Sequence, residues 1–290
     1  MDQLFKNKLG WGVQVARGNI LNAEVTHRFG MATVGTDLVP VSDLLVYRTP
    51  QVAGATALRI KAGGNANDTA AGSGARSVRL TGLNATGDVV SEVVATAGAS
   101  ASAATSAQFI RLFDAEVVDS GTYGTQAAGS HAGDIVIENA AGGTDWAKIP
   151  VNGFATANTS NVSYTIPRGY TGFIEGVSIA IEGAKLLDIL MLSRGGVLDT
   201  AAPYEPIKRV QEWIGIANTY VDTFTMPLHF PELTDIGMLG KVSNGTASIM
   251  VHFSAILIAV FGSALLLPTL NAPRPSPTNS PVVRSYSLHR

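Results

Sequence analysis

Leu58-Arg59-Ile60-Lys61-Ala62-Gly63-Gly64-Asn65-Ala66-Asn67-Asp68-Thr69-Ala70-Ala71-Gly72-Ser73-Gly74-Ala75-Arg76-Ser77-Val78-Arg79-Leu80 sets two short alternating runs on either side of a stretch of Gly, Asn, Asp, Ala and Ser. Alternation with period two turns one face of a strand inward, and the composition between the runs is that of a tight turn with no core of its own. Thr81-Gly82-Leu83-Asn84-Ala85-Thr86-Gly87-Asp88-Val89-Val90-Ser91-Glu92-Val93-Val94-Ala95 keeps the rhythm through a turn at 84–88. Residues 56–121 therefore read as β-structure, and the rest of the chain is organised around them.

Going outward, residues 95–107 are Ala, Ser, Thr and Gly, a loop or thin linker arm. Strands resume at 109–119, 134–138 and 146–150, with turn residues at 120–133 and 142–144. Short strands with turn signals every eight to twelve residues mark a sandwich or barrel. Before the opening stretch, 11–15 and 20–29 alternate weakly and read as β, and 34–47 carries Pro40 between two apolar runs as an edge strand does. Residues 1–10 form a polar N-terminal arm.

A second set of strands begins at Val162-Ser163-Tyr164-Thr165-Ile166, turns at Pro167-Arg168-Gly169, and continues to Ile179. Residues 185–194 fit a helix or a strand, and their β-rich surroundings favour the strand. The segment that best fits a helix is 205–216: Pro206 suits a first helical position, and Ile207, Val210, Trp213 and Ile214 fall near one face. Residues 223–227 and 248–258 read as strands around a turn-rich 231–245. The apolar run 248–267 is long enough to span a bilayer, but its alternation and the absence of flanking Lys or Arg favour a core strand.

The totals narrow the function. With 290 residues the chain holds one large or two modest β domains. Having no cysteine removes disulfides, Cys-based zinc sites and thiol nucleophiles, and no secretory leader pattern opens the chain, so synthesis in the cytoplasm is expected. A net charge of -2 gives no basic field for nucleic acid or anionic lipid. Charged residues make up 14% of the chain, below the usual share, and such a surface suits packing against copies of the same chain.

The motifs of chemistry are weak. Asp68 and Asp88 sit in turns and read as turn caps in preference to calcium ligands, since no loop of closely spaced carboxylates accompanies them. His131 near Asp134, and His229, lack HExxH or paired spacing, the glycine runs lack a phosphate-cradle context, and Ser193 and Ser243 lie in no GxSxG elbow. The sequons at Asn84, Asn158, Asn161 and Asn244 matter only in a secretory pathway. No catalytic set, cofactor site or metal site is expected.

Three groups of residues resemble a known family. Asn67-Asp68-Thr69-Ala70-Ala71-Gly72-Ser73-Gly74-Ala75-Arg76-Ser77-Val78 with Leu80-Thr81-Gly82-Leu83, Val90-Ser91-Glu92 and Ala97-Gly98 is similar to virion structural proteins of tailed bacteriophages, frequent among marine phages. Tyr164-Thr165-Ile166-Pro167-Arg168-Gly169 and Pro227-Leu228-His229-Phe230-Pro231-Glu232-Leu233-Thr234-Asp235-Ile236 resemble its later signatures, so the likeness spans 56–258. It implies a particle component built of β domains, on the head or the tail. Residues 262–290 have no counterpart in it.

The expectation is an all-β protein of two β-sandwich or jelly-roll-like domains, 11–150 and 151–261, with an extended Pro- and Ser-rich arm at 262–290. Its function is that of a non-enzymatic virion component, foremost a capsid decoration or head-surface protein. A tail, collar or fibre component follows, then a carbohydrate- or receptor-binding module that would show exposed Trp146, Tyr123 or Trp213. A polysaccharide depolymerase would need a paired carboxylate set in a groove. Partners are copies of itself and other virion proteins, without nucleic acid or membrane. In the arm, Pro273, Pro275, Pro277 and Pro281 hold the chain extended. Arg274, Arg284 and Arg290 are placed to pair with acidic groups of a neighbour, and Val282, Val283, Tyr286 and Leu288 to fill shallow pockets.

Overall fold

The structure, a computed structural model, describes residues 10–43, 54–121, 129–151 and 156–260. Its strands are β1 (Ala23–Val34), β2 (Val39–Pro40), β3 (Thr56–Ile60), β4 (Ala75–Leu83), β5 (Val89–Ala95), β6 (Gln108–Phe109), β7 (Arg111–Ser120), β8 (Ile135–Asn139) and β9 (Asp145–Ile149). They continue as β10 (Tyr164–Thr165), β11 (Tyr170–Ile181), β12 (Leu187–Arg194), β13 (Lys208–Ile216), β14 (Tyr220–Phe230), β15 (Asp235–Val242) and β16 (Ala247–Ala259). Among the described residues one short helix, α1 (Trp11–Ala16), precedes them and packs against β1, where Val15 is buried. The protein is all-β, as the alternation indicates.

Two sheets form the larger sandwich. One has the order β1-β16-β11-β14; the other has β15, β12 and β13 in line, with β2 and β10 sharing the free edge of β15. Every pairing is antiparallel. Apart from the β12–β13 hairpin, successive strands of the sandwich from β11 onward cross from one sheet to the other, as does the pair β1 and β2. Eight strand positions arranged in two four-membered sheets by such crossings are a jelly roll.

Residues 56–149 are inserted within its second strand position, between β2 and β10, and make a smaller sandwich of β6-β3-β8-β9 against β5-β4-β7. Each sandwich has its own apolar centre. Leu58, Val78, Leu80, Phe109, Ile137, Trp146 and Ile149 fill the inserted one; Ile174, Ile179, Ile189, Met191, Met238, Val251 and Phe253 fill the jelly roll. The sheets thus do not follow a linear division at residue 150, because β1 lies beside β16 over the whole of its length.

Four local readings change. Residues 11–15, read as β, lie in α1. Residues 205–216, read as helical, hold β13, whose register against β12 is shifted twice. Those shifts let Val210, Trp213 and Ile216 all reach the core from one strand, which produced the helix-like spacing. The turn-rich 231–245 contains β15, where Gly240 mimics turn composition. A Cβ there would crowd the Ile249 side chain at 2.6 Å, so the glycine makes room for core packing. Residues 34–47 read as an edge strand; β1 ends at Val34, the edge among the described residues is the two-residue β2, with Pro40 where a missing donor is tolerated, and 44–47 lie outside the described residues.

The 95–107 segment is a loop, as its composition indicates, and it is anchored. Ser102 Oγ accepts from Ile60 N at 2.8 Å and Thr105 Oγ1 accepts from Leu58 N at 2.9 Å, so the hydroxyls satisfy donors of β3. The apolar run from residue 248 enters β16, a central strand between β1 and β11, and no helix among the described residues is long and apolar enough to cross a membrane.

Candidate functional site

The arm residues expected at a subunit interface, Pro273, Arg274, Pro275, Pro277, Pro281, Val282, Val283, Arg284, Tyr286, Leu288 and Arg290, lie outside the described residues, as does Tyr123. Trp146 is buried in the inserted sandwich. Trp213 is buried in the jelly roll, and its Nε1 donates to Asp222 Oδ2 at 2.8 Å. Neither indole presents a stacking platform for a sugar.

Asp68 acts as a cap, as its turn composition indicates. Its Oδ1 accepts from the amides of Ala75 at 2.8 Å and Ala132 at 2.9 Å, and its Oδ2 from Gly133 at 3.0 Å. Three donors from two loops converge on one buried carboxylate, which ties the 67–74 turn to residues 132–133. Asp88 takes the Thr86 hydroxyl within its own turn. His131 is buried beside Ser130, Nδ1 to Oγ at 2.8 Å, and burial pushes its pKa below the ordinary 6.5. No group of three or more metal-ligating side chains occurs among the described residues.

The inserted sandwich is fixed to the jelly roll by a buried polar junction. Arg111, the first residue of β7, donates from Nε to Asp235 Oδ1 at 3.0 Å and from Nη2 to Oδ2 at 2.8 Å, while Thr165 Oγ1 donates to Oδ1 at 2.6 Å. Arg28 of β1 donates to the Phe113 carbonyl at 2.6 Å, and its Cζ lies 5.3 Å from the Tyr164 ring centre. Asn161 gives its amide hydrogens to the carbonyls of Phe113 and Ser163 and accepts from Ser42 Oγ and Ser163 N. Leu83, Ile110 and Phe113 carry the inserted segment into the jelly-roll core. These contacts hold the two sandwiches in a fixed relation.

The outer face of the β1-β16-β11-β14 sheet carries a run of exposed apolar side chains. Register sets Met31, Met250 and Ala180 in one cross-strand row, and Phe29, His252, Ser178 and Val221 in the next. Phe29 is 40% exposed, Met31 47% and Val221 63%. No Lys, Arg, Asp or Glu stands in either row. His252 stacks on His27 with ring centres 6.0 Å apart, and burial, then the neighbouring His27, lowers its pKa from 6.5. The two rows make a mostly apolar strip free of Lys, Arg, Asp and Glu, with Ser178 and His252 as its polar members, the composition of a surface that can dock a partner. The alternation of β16 was legible in the sequence, but the strip was not, because its rows join residues from four distant segments.

A cleft of about 480 Å3 between residues 193–210 and 228–234 brings Asp199, Glu205, Glu232, His229 and Lys208 to one rim. Glu232 Oε2 accepts from Gly169 N at 2.5 Å, and Glu205 lies 3.7 Å from Lys208 Nζ. These two carboxylates serve the loop and its neighbouring cation.

No family model matches the chain, and no curated protein matches it. A solved structure described as infectious bursal disease virus Gt strain is similar over 89% of this chain and 79% of its own, at 9% identity and a TM-score of 0.19. A likeness at that level carries no argument about fold or function.

Proposed function

We propose that this chain is a non-enzymatic structural component of a bacteriophage virion, a capsid decoration or head-surface protein that works through repeated contacts between copies and with other virion proteins. The observation that carries the reading is the uncharged strip of Phe29, Met31, Met250 and Val221 on the outer jelly-roll sheet. Jelly rolls serve in viral capsids and also in lectins and cupins, so the fold alone does not choose among them. The buried positions of Trp146 and Trp213 weigh against a sugar platform, and the motif likeness over 56–258 supports the virion reading. A tail, collar or fibre position would set the same strip against a different neighbour.

The test is Met31→Asp combined with Val221→Asp, which places two unpaired carboxylates in the strip without touching either core. Interfaces tolerate such charges poorly. The variant is expected to keep wild-type far-UV circular dichroism and melting behaviour while its loading onto the parent particle, counted by cryo-EM occupancy, collapses. Occupancy at the wild-type copy number refutes the role of the strip.

A further inference from the structure

Arg194, the last residue of β12, is 2% exposed. Its Nε donates to the Glu205 carbonyl at 2.8 Å, and its Cζ lies 5.6 Å from the centre of the Tyr204 ring. Nη1 and Nη2 are buried without a hydrogen-bond partner. Asp235, its opposite number on β15, is already engaged by Arg111 and Thr165. A buried guanidinium with two idle nitrogens is costly to the fold, and its planar fork matches a carboxylate.

Arg194 lines a cleft of about 240 Å3 whose other walls include Pro40, Leu192, Ile207, Gly237 and Leu239. Register puts Leu192 opposite Gly237 and Leu239 opposite Pro40. Space over the ladder comes from Gly237, where a Cβ would meet just Ser163 Oγ at 3.9 Å. The remaining walls are apolar except for Ser163, Ser193 and Asp235, whose carboxylate is held by Arg111 and Thr165, so Arg194 is the one cationic group facing a space sized for a small side chain.

We propose that this cleft binds a carboxylate carried on a short apolar stem, with the carboxylate on the Nη groups of Arg194 and the stem against Leu192 and Leu239. The inference stands apart from the virion reading, since it concerns the second sheet and a different residue set. The carboxylate comes from an acidic side chain of a second copy or from a free aliphatic acid, and the chemistry of the cleft is the same for both.

The full chain is titrated with isovalerate and with its neutral counterpart isovaleramide, followed by calorimetry and by the arginine side-chain NMR signals. Isovalerate is expected to bind and shift one buried arginine signal, with the amide weaker by about tenfold or more, the ratio expected when a charge-assisted pair is lost. Arg194→Lys removes the fork and should weaken acid binding comparably. Gly237→Val fills the cleft without altering Arg194 and should abolish binding while leaving the melting temperature near wild type, which keeps the test valid if the Arg194 variant unfolds. Equal binding of acid and amide, no binding of the acid, or acid binding unchanged by Gly237→Val overturns the proposal. Light scattering separates the sources: oligomers that dissociate on adding isovalerate identify a second copy's side chain, and an unchanged mass with saturable binding identifies a free acid.

Discussion

Replacing Asp235 by Ala removes the acceptor at the centre of the junction between the two sandwiches. The side chain is buried and receives two bonds from Arg111, at 3.0 and 2.8 Å, and one from Thr165 at 2.6 Å. Deleting one partner of a buried ion pair costs about 3–5 kcal/mol, because the other charge stays behind without compensation. The whole fold is expected to be worth about 5–15 kcal/mol, so the loss is a large part of it. For a chain of this size it corresponds to a melting temperature lower by roughly 6–20 °C. Urea unfolding and scanning calorimetry both measure it. The double variant Arg111→Met with Asp235→Leu removes both charges and should lie well above the Asp235→Ala variant in stability, since apolar replacement of a whole buried pair is close to neutral. A cost below about 1 kcal/mol for Asp235→Ala, the range of an exposed pair, or a double variant as unstable as the sum of the two single ones, would refute the claim that this pair fastens the insertion to the jelly roll.

Phe253→Asp, at a 1% exposed position of β16, should destabilise the fold by several kcal/mol, on the order of aromatic deletion plus burial of an unpaired charge, and detergent-dependent solubility with the variant tolerated would speak for a membrane role instead. His252 has a folded pKa below its ordinary 6.5, so the folded state resists protonation, and the stability it contributes is present above pH 6.5 and lost as pH falls through the lower folded value. His252→Gln should therefore flatten the fall in stability below pH 6.5 seen by denaturant titration; an unchanged slope refutes the assignment. Asp114, whose pKa burial raises above 3.8, acts in the opposite direction: its contribution is full below pH 3.8 and is lost as pH rises through the folded value. On the proposed virion role, deleting residues 268–290 is expected to leave the β fold intact and lower loading onto the parent particle, and loading at wild-type copy number would make the segment a passive tail. In polyproline form, at about 3.1 Å per residue, a segment of that length would reach roughly 70 Å.

Much of the local structure was legible because a strand with one wet face writes its period into consecutive residues. Val78, Leu80, Val177, Val251 and Phe253 each sit in such a pattern, whereas a bulge in β11 turns Ile174 inward where the alternation pointed to Phe173, and the turn at 84–88 is closed by Asn84 and Gly87 as its composition indicates. Where two structures share a spacing, the sequence could not choose. Residues 205–216 have helix-like spacing because β13 is bulged, and 11–15 alternate weakly yet form α1.

The sequence by itself determined that the chain is all-β, free of thiol chemistry and low in charge, since these follow from composition and near-neighbour alternation. Tertiary structure alone decided that β1 belongs with β16, more than two hundred positions away, that 56–149 is an insertion in a jelly roll, and that Arg111 and Arg194 are buried. Strand pairing and burial are set by the free energy of the assembled core, in which any alternating strand is locally acceptable to many partners. The choice among them rests on contacts between residues that are not neighbours in the chain.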